Sequence, residues 1–533
     1  MPNPSAINAA SLVNRVSLAA SLVLSASPLV GAASIVSYIM GDTDNAIVSG
    51  AAFDNWTVDA SSYKTAAGLI LTQTGTSDNL IYDVPGLAVA TEYWMKISTD
   101  LKSPGSTGNV RLVALADTGC EIAGTAGALV NFGSAGALGT FYMKVKTGAT
   151  QAQGGLFRLV LKHATSPDTQ VLTTVDGVTD LITLAAHGYV SDQPFKFVAG
   201  TPPSGLALGT VYYARDITAN TFKVAATAGG AAIDFTGAGV SMTVANWFRV
   251  MDVVVYPIPD RSSAKICIVG DRESGFVSAT ATAVDTAILD QTNGGDAVNC
   301  VSPGDMYDGT PTLNSNNDTI KNALIARGGN LYAAPGNWDY TGGIAAWETY
   351  FGITAGQSNR YFRRVLGQCE FFFYDSNPEN TDNNQVDVAG AKADVMGAWL
   401  LAAIASSTAK WKIVVIHHPM YSSSTHHGGP SVEVGWSAAF KSMQWDWSVL
   451  GVPFVLNSHD HVVEAILKSG TLHVQYALAG GTANAFGTPI AESLFRSLTS
   501  GYVKIHDSPT TLILEFFDTA NLMLNRYKIS RTG

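Results

Sequence analysis

The chain has 533 residues, 47% of them apolar and only 14% charged, against about 25% charged in an ordinary soluble domain. Such a length exceeds what one core holds, so roughly two to four domains are expected. The net charge of −11, with no cluster of Lys and Arg, excludes the basic surface that non-specific binding to nucleic acid or anionic membrane requires.

Residues 1–44 read as an apolar arm. Val16–Ala33 (VSLAASLVLSASPLVGAA) follows Arg15 and imitates a secretory signal peptide. A lone basic residue, Pro28 and several serines weaken that signal, so an anchor or oligomerisation arm is the preferred reading. The run is too short and too polar for a membrane span. The cysteines, Cys120, Cys267, Cys300 and Cys369, form no CxxC pair, which argues against a thiolate zinc site. Three of them lie in or beside apolar runs, as free thiols do in a chain folded under reducing conditions.

Residues 45–169 read as strand after strand. Glu92–Ser98, Val110–Ala114, Thr140–Val145 and Phe157–Lys162 are aromatic and β-branched, with Gly, Ser and Asn turns between them. The spacing predicts a β-sandwich. A structural or docking role is expected, although Trp56, Tyr82, Tyr93 and Trp94 leave a glycan-binding module open. Residues 170–245 are again all β, with the stretches DLITLAAHGYV, TPPSGLALG, TVYYARDITANTFKVA and GGAAIDFTGAG. Through Gly188, Pro203, Gly205, Gly209, Tyr212, Tyr213, Asn220 and Phe222 this segment resembles a small module of bacteriophage tail-fibre and virion proteins. The resemblance implies a location, a phage particle, and no chemistry; His187 is read as a turn or packing residue. Val250–Tyr256 reads as one more sandwich strand, so 246–258 can complete the sandwich with 170–245 inserted into it. Pro257 and Pro259 then form a linker.

From Lys265 strands alternate with helices, the mark of a layered α/β domain. Lys265–Gly270 ends in Asp271. Ala297–Val301 leads into Gly304-Asp305-Met306-Tyr307-Asp308, and Asn330–Ala334 into Pro335-Gly336-Asn337-Trp338-Asp339. Lys412–Ile416 leads into His417-His418-Pro419, and Phe454–Asn457 into Ser458-His459-Asp460-His461. Helices are predicted at about 279–290, 317–328, 386–406 and 437–449. Each strand delivers a carboxylate, amide or imidazole at its C-terminal end, the edge where open α/β sheets collect ligands. Aspartate, asparagine and histidine without thiolate suit Mn, Fe or Zn. The set is too large for one tetrahedral ion and sufficient for two ions sharing a carboxylate, the arrangement that serves phosphoryl hydrolysis.

The ordered motifs D, GDxxD, GNxD, VxxH and HxH over about 260 residues resemble the calcineurin-like metallophosphoesterase superfamily. KIVVIHHPMYSSS and VLNSHDHVVEA are similar to its purple acid phosphatase branch. The resemblance implies that Asp271, Asp305 and His461 hold one metal, and that Asp305, Asn337, His417 and His459 hold the second, with Asp339 completing the catalytic motif. It also selects His417 over His418. The pattern has departures. Glu273 stands where many relatives have a histidine and is itself a possible ligand; Asp308 replaces a metal-binding tyrosine. Ser458 replaces a glycine, and Trp338 replaces the histidine that contacts the substrate phosphate, a loss worth about 10²–10⁴-fold in rate. His426 and His427, in the loop after Pro419, are candidate substrate contacts, as is His418.

The expected architecture is therefore an N-terminal all-β region, a β-sandwich plus a small β-module, followed from residue 260 by a four-layer α/β metallophosphoesterase sandwich. The expected function is a virion-associated phosphoesterase, displayed on the particle surface as a homo-oligomer. Its β-domains would bind other virion proteins, and its metal centre would hydrolyse phosphate esters on host surface glycans. A phosphoesterase-fold phage adhesin without turnover and a secreted bacterial phosphatase are the alternatives.

Overall fold

The computed structural model describes residues 169–245, 247–272, 278–291, 295–307, 311–341, 343–382, 395–426 and 447–532, together with 87–102, 108–113, 120–122, 125–126, 130–132, 139–149 and 157–163 and the short strands 37–40, 57–58, 63–65, 68–72 and 80–84. Two compact units emerge, residues 45–258 and residues 259–533 with 1–44.

In the first unit, five strands pair in the order 130–132, 108–113, 157–163, 80–84, 57–58. Seven more pair as 63–65, 68–72, 247–257, 92–102, 139–146, 121–122, 125–126. Strand Trp247–Pro257 runs antiparallel to Glu92–Lys102, with Val253 opposite Ile97 and Val255 opposite Met95. Residues 169–245 form a separate seven-stranded antiparallel sheet in the connection leading to that strand. Its core is Phe195, Phe197, Tyr212, Phe222, Val224, Phe235 and their neighbours. His187 is buried in it, packed against Tyr189 and Phe222 with ring centroids 5.0 and 5.2 Å apart.

The second unit is built on two seven-stranded sheets. In the first sheet Ile266–Ile268, Asn299–Ser302 and Leu331–Ala333 are parallel neighbours. The antiparallel strands Gly501–Asp507, Thr511–Asp518 and Met523–Thr532 extend it. Strand Ser37–Met40 closes its edge against Ile529–Thr532; the rest of the expected N-terminal arm lies outside the described residues. In the second sheet Cys369–Tyr374, Trp411–Ile416 and Phe454–Asn457 are parallel neighbours. Ile266, Ile268, Val301, Val503 and Leu514 of the first sheet share one core with Phe371, Phe373, Ile413, Val415 and Leu456 of the second. The alternate residues Phe372, Tyr374, Val414, Ile416 and Val455 pack instead on Met396, Leu400 and Ile404 of helix Val395–Ser406. With both faces covered, these strands read as unbroken apolar runs.

Helix Ser278–Leu289 lies where the sequence places one. The helix expected at 317–328 spans Pro311–Ala326, because a proline suits the first helical turn. The helix expected at 386–406 is described from Val395 onward. The one expected at 437–449 falls mostly outside the described residues, and its described end, from residue 447, is turn rather than helix. Two short helices not foreseen, Asn337–Thr341 and Ile344–Phe351, follow the third parallel strand.

Candidate metal centre

The polar residues that follow the parallel strands of both sheets meet at one place. Four of them, Asp271, Asp305, His459 and His461, have left-handed backbone, with φ of 49°, 55°, 75° and 52°. Side chains other than Gly, Asn and Asp rarely accept that conformation, and it concentrates at functional sites. Two glycines make room: a Cβ on Gly304 would lie 2.7 Å from His417 Nδ1, and one on Gly336 would overlap Asp305 Oδ1. Gly270 likewise admits Ser458, whose Oγ would be 2.6 Å from a Cβ there.

His417 is the hub. Its Nδ1 lies 3.1 Å from the carbonyl oxygen of Pro303, which can only accept, so Nδ1 carries the hydrogen. The other ring nitrogen, Nε2, then faces Asn337 Oδ1 at 3.0 Å, His459 Nδ1 at 3.1 Å and Asp305 Oδ2 at 3.1 Å. Asp271 Oδ1 lies 3.9 Å from His417 Nδ1, is buried and accepts no hydrogen bond, while Oδ2 accepts the His459 N–H at 2.6 Å. Lone pairs crowded in this way repel one another unless a cation stands among them. A proton on His417 is one answer: burial works to lower its pKa, yet Asp305, Asp271 and Asp339 hold it up at about 9. Burial and the charge of Asp305 hold Asp271 well above the usual carboxylate range. Burial also acts to raise Asp305, but His417 and His459 keep it low. A metal ion is the other answer, and the mixed carboxylate, amide and imidazole donors fit one.

Among the described residues, Asp271, Asp305 and His417 offer one ligand group, and His417, His418 and His459 another. His461 stands outside both; its Nδ1 meets the Thr482 carbonyl at 2.8 Å, which leaves Nε2 available. The exposed ring of His426 lies 5.8 Å from that of His461. Glu273, Asp308 and His427 lie outside the described residues.

Two residues make contacts that the sequence reading did not specify. Asp339 does not face the donors. It accepts the backbone N–H groups of Asp305, Met306, Tyr307 and Gly336 at 3.0, 3.2, 2.7 and 2.6 Å, and so ties two ligand loops together. His418, passed over in favour of His417, is buried with its ring 4.3 Å from that of His459 and its Nδ1 2.6 Å from Ser376 Oγ. Ser376 belongs to a sixth strand end that the sequence reading missed, Asp375-Ser376-Asn377 after Cys369–Tyr374. Asp375 accepts the Tyr340 hydroxyl at 2.5 Å, and Asn377 Nδ2 donates to the Pro335 carbonyl at 3.1 Å, next to the Asn337 loop. The signal was present: an apolar run, CEFFFY, ending in an acid.

Residues 265–463 match the family model described as calcineurin-like phosphoesterase. The second half of the chain carries a calcineurin-like metallophosphoesterase domain. Similar solved structures include a purple acid phosphatase from yellow lupin seeds, 15% identical over 85% of this chain and 92% of that one, with a TM-score of 0.40. A dimetal phosphatase from Danio rerio is 12% identical over 51% of this chain and all (100%) of that one, TM-score 0.34. GAP50, the anchor in the inner membrane complex of Plasmodium, is 15% identical over 50% and 89%, TM-score 0.39. No curated protein matches the chain. Calcineurin-like phosphoesterases use dinuclear metal centres.

Proposed function

We propose that the metallophosphoesterase domain hydrolyses phosphate esters with two metal ions, held by Asp271, Asp305, Asn337, His417, His459 and His461. The observation that carries this reading is the crowding of Asn337, Asp305 and His459 donor atoms within 3.0–3.1 Å of His417 Nε2. Bound there, such a pair supplies Lewis acidity to phosphate oxygens and lowers the pKa of a water. The chain itself supplies the loop geometry, with the loop of left-handed Asp305 tied to Gly336 by the Asp339 carboxylate. His426, whose ring lies 5.8 Å from that of His461, is the proposed substrate contact.

The proposed setting is a phage particle, with phosphorylated host surface polymer as substrate and the β-domains attached to other virion proteins. Its support is the sequence pattern of residues 170–245. The test is metal stoichiometry by mass spectrometry on the full chain, followed by turnover of p-nitrophenyl phosphate and bis-p-nitrophenyl phosphate. Close to two ions per chain with metal-dependent turnover is the expected result; absence of metal uptake sinks the reading. A second reading, an adhesin without turnover, is favoured by Trp338, whose side chain is 40% exposed where relatives place a phosphate-contacting histidine. Two bound ions, no hydrolysis and retention on a phosphorylated glycan would establish it instead.

A further inference from the structure

One buried cation grips the ligand loops from outside. Arg272, directly after Asp271, is fully buried. Its Nη2 pairs with Asp285 Oδ1 and its Nη1 with Asp285 Oδ2 at 3.2 Å, on helix Ser278–Leu289. The same Nη1 donates to Asn317 Oδ1 at 3.2 Å, on helix Pro311–Ala326. Asn317 Nδ2 in turn donates to the carbonyl of Met306, the residue after Asp305. The Arg272 backbone N–H donates to the Asp305 carbonyl at 3.0 Å. One guanidinium thus joins the Asp271 loop, the Asp305 loop and both helices.

Stability gives a poor account of this pair. Desolvating a guanidinium and a carboxylate commonly costs more than their attraction returns, and an apolar pair of similar volume often does as well. The ligand loops, by contrast, need an external hold, since Asp271 and Asp305 sit at φ of 49° and 55°. We propose that Arg272, with Asp285 and Asn317, is a positioning residue that sets the spacing of the Asp271 and Asp305 carboxylates and thereby the affinity of the metal centre. The proposal rests on the two-metal reading above.

The test compares the full-length chain with Arg272→Lys and with the double variant Arg272→Met/Asp285→Leu, by Co²⁺ titration followed in the visible spectrum and by thermal unfolding of the metal-free proteins. Outer groups that orient ligands are worth about 10–100-fold in metal affinity. The double variant should unfold no earlier than the wild type, yet bind Co²⁺ at least about tenfold more weakly with a changed ligand-field spectrum. A well-folded double variant with wild-type affinity and spectrum overturns the proposal. Should the double variant fail to fold, Arg272→Lys decides: it keeps the charge but loses the two-pronged geometry, so weaker binding supports the proposal and unchanged binding overturns it. A wild-type chain that takes up no Co²⁺ overturns both this proposal and the phosphoesterase reading.

Discussion

His417 Nε2 lies 3.1 Å from Asp305 Oδ2, and the two residues shift each other's protonation in opposite directions. Against the effect of burial, the carboxylates hold the imidazole up at about 9 and the imidazole keeps Asp305 low. Metal binding needs the bare Nε2, so a metal competes with that proton. Below pH 9 each unit of rising pH should therefore strengthen metal binding by about tenfold, with at least one proton released per ion pair bound. Calorimetry in buffers of different ionisation enthalpy at pH 6.5 and 8.5 measures both quantities. Equal affinity at the two pH values would remove the proton from the account. His417→Ala should remove the second ion, the one assigned to Asp305, Asn337, His417 and His459.

Trp338 donates its backbone N–H to Asp305 Oδ1 at 2.9 Å, so the residue is anchored even though its side chain is exposed. A histidine there would keep that backbone bond and restore a group able to meet the phosphate. Trp338→His should raise kcat by at least about tenfold with metal content unchanged. If turnover is unaltered, the next measurement is His426→Ala, which should then lower kcat/KM by a similar factor.

Asp339 is predicted to act through the backbone. Removing its four accepted N–H bonds leaves buried donors unpaired. Asp339→Ala should cost about 3 kcal/mol of stability and weaken metal binding, whereas Asp339→Asn, which keeps one oxygen, should cost less. Denaturant unfolding of the metal-free chain separates the two. An Ala variant as stable as the wild type would show that the loops hold without it.

His473, buried with its ring 4.9 Å from that of Tyr421, has its pKa pushed down to about 3, first by burial and then by Lys468. The folded state therefore favours the neutral ring, and the unfolded chain binds the extra proton below about pH 6.5. The stability this group secures is complete above pH 6.5 and drains away as pH falls toward 3, by about 1.4 kcal/mol per unit. His473→Gln should flatten the acid limb of the stability curve between pH 6 and 4 by that slope. An unchanged slope would place the sensitivity elsewhere.

The parallel strands of the second unit were legible because each is buried on both faces and ends abruptly in a polar residue: KICIVG before Asp271, KIVVI before His417. The donors were legible for the same reason, since the chemistry begins where the apolar run stops. Asp375-Ser376-Asn377 escaped because an acid, a serine and an asparagine after a strand read equally well as an ordinary turn. The role of Asp339 escaped because sequence shows that an acid is present, not that backbone amides will surround it. Short helices such as Asn337–Thr341 carry too few turns for a periodic pattern.

The hydrogen bond from the His459 N–H to Asp271 Oδ2 joins positions 188 residues apart. Ribosomes add about 5–20 residues each second. The first ligand is therefore made roughly 10–40 s before the histidine that locks it. No ion can be gripped by the full donor set during that interval. The set is complete only when strands of both sheets are paired. Any ion held by the complete set is thus a late arrival, taken from the ions that surround the chain once His459 has been made.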